Sequence, residues 1–197
     1  FDPQRNASFA RLLRNAGYAT AIAGKWQIDD FRVEPMALYE AGFDAWSVWT
    51  GGEGGNIEKS SHRYWDPYIH EGTVHGTRSR TREKYGPDIY TSFLIDFMRE
   101  HKDKPQLLYY PMCLTHGPLV TTPDEPNASG DEGRFKAMVR YMDKMVGRLM
   151  NALEKEGLRD ETIIIFTTDN GTMGRQTGIR NGHEVRGAKA QRREAGT

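Results

Sequence analysis

The 197-residue sequence has a single cysteine, Cys113, so no disulfide can form within the chain and the redox compartment is left undefined. It also has no net charge, because 27 lysines and arginines balance 27 aspartates and glutamates. That balance removes any reason to expect the broad phosphate-neutralising surface that nucleic-acid binding needs. No apolar run approaches the roughly 18 to 20 residues that cross a bilayer, and the opening FDPQRNASF has neither the charged nor the apolar region of a signal peptide. There is no internal repeat and no low-complexity tract. Both ends read as interruptions: a helical pattern begins almost at once, and the final EAGT stops in mid-element. The expectation is a large part of a bigger domain, with neither nucleic acid nor membrane as a partner.

What is present is an alternation of helical and buried-strand patterns. Phe9, Leu12, Leu13 and Ala16 follow the i, i+3, i+4, i+7 spacing of a helix with one buried face, and Gly17 stands where a helix end favours a left-handed residue. YATAIAGK, from Tyr18, is short, apolar and partly β-branched, which suits a strand buried on both faces. A second strand is predicted over Ala45 to Trp49, after the turn-like AGF. From Gly51 to Lys84 no period lasts, and this stretch reads as a long surface excursion, a candidate substrate-facing lid. Pro87 and Asp88 open a helix marked by Tyr90, Phe93, Leu94, Phe97 and Met98, which leads into the buried-strand pattern QLLYYPM. Phe135, Met138, Val139, Met142, Val146, Leu149 and Leu153 mark a longer amphipathic helix closed by Gly157, and TIIIFTT over residues 162–168 is the strongest strand pattern of all. The fold class predicted is α/β, a mainly parallel sheet sandwiched between helices and incomplete at both ends.

In such sheets ligands gather beyond the carboxyl ends of the strands. Gly24-Lys25-Trp26-Gln27 follows one predicted strand, Thr115-His116-Gly117-Pro118 another, and Asp169-Asn170-Gly171 a third. Together they would hold an anion and a hard cation: Asp and Asn offer oxygen ligands, Lys a positive charge, and His a transferable proton. Each also has an ordinary reading: a strand-ending turn for Asp169-Asn170-Gly171, a structural histidine for His116, a solvated lysine for Lys25. Their common placement favours the functional one.

Taken together, four segments in order resemble the sulfatase family, of arylsulfatase type within the alkaline phosphatase superfamily. LLRNAGYATAIAGKWQ resembles its helix, AGY turn and GKW strand end; THGP follows; TIIIFTTDNG resembles its metal-binding strand end; and HEVRGAKAQRREAGT resembles the segment with its second catalytic lysine. The resemblance covers essentially the whole chain, residues 1–197, as the central part of a catalytic domain. It implies an alkaline phosphatase-like fold and hydrolysis of a sulfate ester, from a small molecule or an oligosaccharide. It implies Asp169 and Asn170 as ligands of Ca2+, with Mg2+ also acceptable, and Lys25 and Lys189 as the lysines on the sulfate. It further implies His116 as the histidine that contacts substrate and gives a proton to the departing alcohol. Family members attack sulfur with a formylglycine hydrate made from Cys or Ser in a CxPSR-like motif, and many are periplasmic, extracellular or lysosomal.

Two departures stand out. Where the family commonly has GKWH, this chain has Gln27, which can bind an oxyanion but cannot exchange protons near neutrality. Gln27 is therefore expected to bind substrate only. The nucleophile motif is not in the sequence: Cys113 lies in PMCLTHGP and is expected to pack as a small apolar residue. The formylglycine is expected upstream, and this chain alone is expected to have no turnover. The alternatives are a phosphoesterase or phosphonate hydrolase on the same fold, or a non-catalytic sulfate-binding homologue. His62, Arg63, His70, His75, Arg78, Arg80 and Arg82 in the excursion are candidate contacts to an acidic sugar, with a solvated charged loop as the ordinary reading, and His183 reads as loop or ligand.

Overall fold

The computed structural model describes residue 2 and residues 5–51, 62–174 and 176–191. Residues 52–61 of the predicted excursion and 192–197 of the Lys189 segment lie outside the described residues. The chain divides into two compact units, Phe1–Asp160 and Glu161–Thr197.

In the first unit, helix α1 (Phe9–Asn15) starts where the Ser8 hydroxyl accepts from the amides of Ala10 and Arg11, at 3.2 and 3.4 Å. Gly17, at φ +94°, follows its end as predicted. The buried face differs from the one the spacing predicts: Ala10 is fully buried, whereas Phe9 and Leu12 are 51% and 62% exposed. The reason is a close backbone approach. A Cβ on Gly42, itself at φ +111°, would lie 2.1 Å from the Arg11 amide, so α1 rests on its small residue.

Strand β1 (Ala19–Lys25) pairs in parallel with β2 (Ala45–Trp49), and the short helix α2 (Ala37–Ala41) crosses between them. The excursion differs from a structureless loop in its second half. There β3 (Tyr68–Thr73) and β4 (Gly76–Thr81) form a hairpin that extends the sheet antiparallel to β2. Its arginines and threonines hide the alternation that apolar residues would show; only Ile69 and His70 are buried on β3. After α3 (Gly86–Glu100), strand β5 (Gln106–Tyr109) pairs in parallel with β1, and α4 (Gly130–Lys155) follows. The strand order is β4-β3-β2-β1-β5, parallel through β2, β1 and β5 and antiparallel at the hairpin edge.

One face of the sheet packs Ile22, Trp46 and Val48 against Ala10, Leu38, Ala41 and Phe43. Burying each large apolar side chain stabilises the unit by about 1.5–3 kcal/mol. Helix α3 lies against β1, whose alternate residues Ala21 and Ala23 are small and fully buried, and α4 packs on α3 through Ile95, Met98, Ala152 and Leu153. Asp88 joins the two helices, accepting from the Tyr141 hydroxyl at 2.6 Å and from Arg148 at 2.8 Å.

The second unit corrects the last strand prediction. Residues 162–168 join no ladder among the described residues, and Ile163 and Ile165 are 90% and 83% exposed. Propensity marks an extended apolar segment, but a strand also needs a neighbour to pair with. The unit's own sheet is the hairpin β6 (Thr177–Arg180) and β7 (His183–Arg186), turned by Asn181 and Gly182, both at positive φ. Among the described residues no helix is long and apolar enough to cross a membrane.

Candidate functional site

Lys25 ends β1, and Gly24 makes that position possible. At φ +118° a side chain there is strained, and its Cβ would lie 2.3 Å from the Pro111 carbonyl. The same carbonyl accepts the Lys25 amide at 2.8 Å. This locks the end of β1 to the chain just after β5. Because β1 and β5 are parallel neighbours, Lys25 and the loop carrying His116 emerge from the same edge of the sheet.

The register pairs Lys25 with Trp49, so both side chains leave one face. The Arg63 guanidinium lies over the Trp49 ring at 4.2 Å, and its Nη1 is 3.2 Å from His116 Nδ1. Tyr64 ties the loop down by sharing its hydroxyl proton between the carbonyls of Cys113, at 2.7 Å, and His116, at 2.5 Å. Burial pushes the Tyr64 phenol well above its usual range, which keeps it a donor. His116 itself is exposed and Lys25 half-buried, and Gln27, also exposed, follows on the same edge.

Cys113 sits beneath this edge, buried and free. Burial pushes its thiol up to about 12, against the opposing charges of Arg63 and Lys25, so it is no nucleophile. This agrees with its expected packing role.

Asp169, Asn170 and Lys189 belong to the second unit. Asp169 is exposed and Asn170 half-buried, in a bend after the extended segment. The Lys189 amide donates to the Thr172 carbonyl at 2.9 Å, which brings the lysine's backbone to a residue three positions after Asp169. Gly187 makes that approach possible, since a Cβ there would lie 2.2 Å from the Met173 carbonyl. His183 is exposed on β7.

The excursion residues divide sharply. His70 is a buried structural histidine, stacked on Phe31 at 4.1 Å and bonded to Ser79 at 2.9 Å, which corrects its reading as a sugar contact. Arg78, Arg80 and Arg82 surround the carboxylate of Glu71. His62 and His75 are exposed. Arg63 is the one that joins the edge, together with Trp49 and Tyr64, which sequence reasoning missed. The aromatic ending β2 opposite Lys25 was the available signal.

A sulfatase family model matches residues 1–197. The chain belongs to the sulfatase family. Among curated relatives, the N-acetylgalactosamine-6-sulfatase of Homo sapiens is 27% identical over 180 residues, 86% of this chain and 33% of that protein. Arylsulfatase A of Bos taurus is 38% identical over 84 residues, 42% of this chain and 16% of that protein. The chain thus spans about a third of the length of the N-acetylgalactosamine-6-sulfatase it matches. The solved structure of Ps i-CgsB in complex with k-i-k-neocarrahexaose aligns with a TM-score of 0.66 at 24% identity, covering 82% of this chain and 39% of that one. The likeness establishes the sulfatase fold, a mixed sheet between helices.

Proposed function

We propose that this chain supplies part of the sulfate and metal site of a sulfuric ester hydrolase, and that the ester is a sulfated carbohydrate or an aryl sulfate. The observation that carries the reading is the shared edge: Lys25 and the His116 loop are held together by the Pro111 carbonyl, within a sequence that matches the sulfatase model throughout. The carbohydrate class is supported by the N-acetylgalactosamine-6-sulfatases among the relatives, matched over 86% of this chain. Lys25 and Lys189 serve the sulfate oxygens, whose low basicity makes full cations the effective partners. Gln27 adds a neutral donor to the substrate. His116 gives a proton to the departing oxygen, for which its exposure is suited.

Asp169 and Asn170 would hold calcium, or magnesium in its place. Both offer the hard oxygen ligands these ions take, but calcium fills six to eight positions, and among the described residues no group of three or more His, Cys, Asp or Glu converges. The pair therefore forms part of a coordination shell, with the remaining ligands elsewhere in the longer protein. When bound, the ion neutralises charge building on the sulfate oxygens, and a formylglycine outside this chain supplies the nucleophile.

The test is a chromogenic sulfate ester assay on the full-length protein, before and after chelation. Turnover that disappears with chelator and returns with calcium is the expected result. Hydrolysis of phosphate esters in its place, or sulfate binding without turnover, refutes the reading.

A further inference from the structure

The sulfate and metal reading uses the cations at the end of the sheet and leaves those of the hairpin without a role. Arg78 and Arg80 lie on β4 and Arg82 just beyond it, one at every second residue, and all three converge on Glu71. The Glu71 side chain is only 14% exposed, while those of Arg78 and Arg80 are 66% and 44% exposed. One carboxylate cannot neutralise three guanidiniums, so this face keeps an excess of positive charge. Arg78 and Arg80 approach Glu71 through Nε, at 3.4 and 3.2 Å, which uses one of the five N–H donors that each fork carries. Charge that only shields an edge strand from pairing needs no shared acid to hold it in formation.

The register carries this face back to the sulfate edge. Lys25 pairs with Trp49, Trp49 with Ile69 and Ile69 with Arg80, so the four residues form one row across the sheet. Register partners send their side chains to the same face. With neighbouring strands about 4.8 Å apart, the Arg80 backbone stands about 14 Å from that of Lys25. Arg63, laid over the Trp49 ring at 4.2 Å, is a further cation between them. A sulfate held at Lys25 therefore leaves Arg80 and Arg78 to a second and a third anionic group further along the same molecule.

Resting on the reading of Lys25 and His116 as the sulfate-ester edge, we propose that the arginine row of β4 is a chain-binding surface for a polysulfated oligosaccharide. One sulfate of the chain occupies the edge, and others pair with Arg80 and Arg78. A planar guanidinium meets two oxygens of such a group at once, as it does with phosphate and carboxylate. The row thereby selects a polymer over a monosaccharide or an aryl sulfate, which ends before reaching it. A nucleic-acid strand carries charge of the same sign, but three arginines on a chain without net charge fall short of a phosphate-binding footprint.

The experiment follows turnover of 4-nitrophenyl sulfate by the full-length protein, with short-chain dextran sulfate as inhibitor. A monosulfated sugar takes over as reporter if the aryl ester is not hydrolysed. Dextran sulfate is expected to compete with the small ester. R78Q/R80Q is expected to raise its inhibition constant about 2- to 30-fold, the combined effect of two exposed ion pairs, with kcat and KM of the small ester unchanged. R78K/R80K keeps the charge and is expected to recover part of that affinity. R78Q alone, with an increase of about 1.4- to 5-fold, takes the place of the double variant if circular dichroism shows the latter unfolded. An unchanged inhibition constant, inhibition that does not compete, an equal loss on the small ester, or equal inhibition of wild type by poly(dT) at matched charge overturns the inference while leaving the sulfatase reading intact. A wild-type protein that turns over neither small ester overturns the sulfatase reading and this inference with it.

Discussion

Gly24→Ala joins fold and site in one substitution. The residue sits at φ +118°, where an L side chain costs about 1–3 kcal/mol, and the new Cβ would begin 2.3 Å from the Pro111 carbonyl oxygen and 3.1 Å from its carbon. The obstruction is backbone on the neighbouring chain segment, so no side-chain rotation relieves it. To make room the post-β5 segment must retreat, and the 2.8 Å bond from the Lys25 amide to Pro111 goes with it, a further loss of about 0.5–1.5 kcal/mol. The sum is about 3 kcal/mol. In a unit of this size each kcal/mol lowers Tm by about 2–4 °C, so the variant should melt about 6–12 °C below wild type by circular dichroism or calorimetry. Sulfate-ester turnover of the full-length protein should fall further than stability alone explains, since Lys25 and the His116 loop separate. A Tm within about 1 °C of wild type would show that β1 and the segment after β5 do not meet as described, and the argument for a shared edge would fail.

Three further outcomes follow from other contacts. Burial lowers the pKa of His70 below 6.5, only partly offset by its bond to the Pro35 carbonyl, so the folded state keeps the ring neutral while the unfolded chain takes up a proton. Stability should therefore decline as pH falls below about 6.5, in urea titrations, and H70N should flatten that acid limb. Asp88→Ala leaves the Tyr141 hydroxyl and the Arg148 guanidinium without their shared acceptor, and should cost about 2–4 kcal/mol in chemical denaturation, more than Asp88→Asn, which keeps one acceptor oxygen. Asp169→Ala in the full-length protein should weaken calcium binding at least about tenfold by calorimetry, while His183→Ala should leave it unaltered.

Much of the fold was legible because its strands are local and apolar. YATAIAGK and the stretch Ala45–Trp49 are strands where the pattern put them, since a strand buried on both faces advertises itself by composition alone. Three things stayed hidden. The hairpin in the second half of the excursion is held by cross-strand pairing, with Glu71 gathering three arginines, and a row of arginines has no apolar period to read. The face of α1 was settled by Gly42 and Ala10, a close approach between backbones that no helical wheel records. The segment 162–168 has the composition of a strand, but its pairing depends on a neighbour that composition does not name. At the site, the motif lysine and histidine were recognisable one at a time, whereas Arg63 acquired meaning only when Trp49 and His116 were seen on either side of it.

Among the described strands β5 is terminal, paired on one side only, with Tyr109 exposed on it and Phe9 exposed against the Tyr109 ring. An unpaired row of amides and carbonyls flanked by apolar side chains is a template for another strand, and a chain without net charge has little electrostatic repulsion to keep copies apart. Work on this chain in isolation would therefore meet colloidal behaviour before it met enzymology, with light scattering growing as concentration rises. A lysine or proline placed on that rim, rather than any change near Lys25, is the alteration that would keep such a sample monomeric.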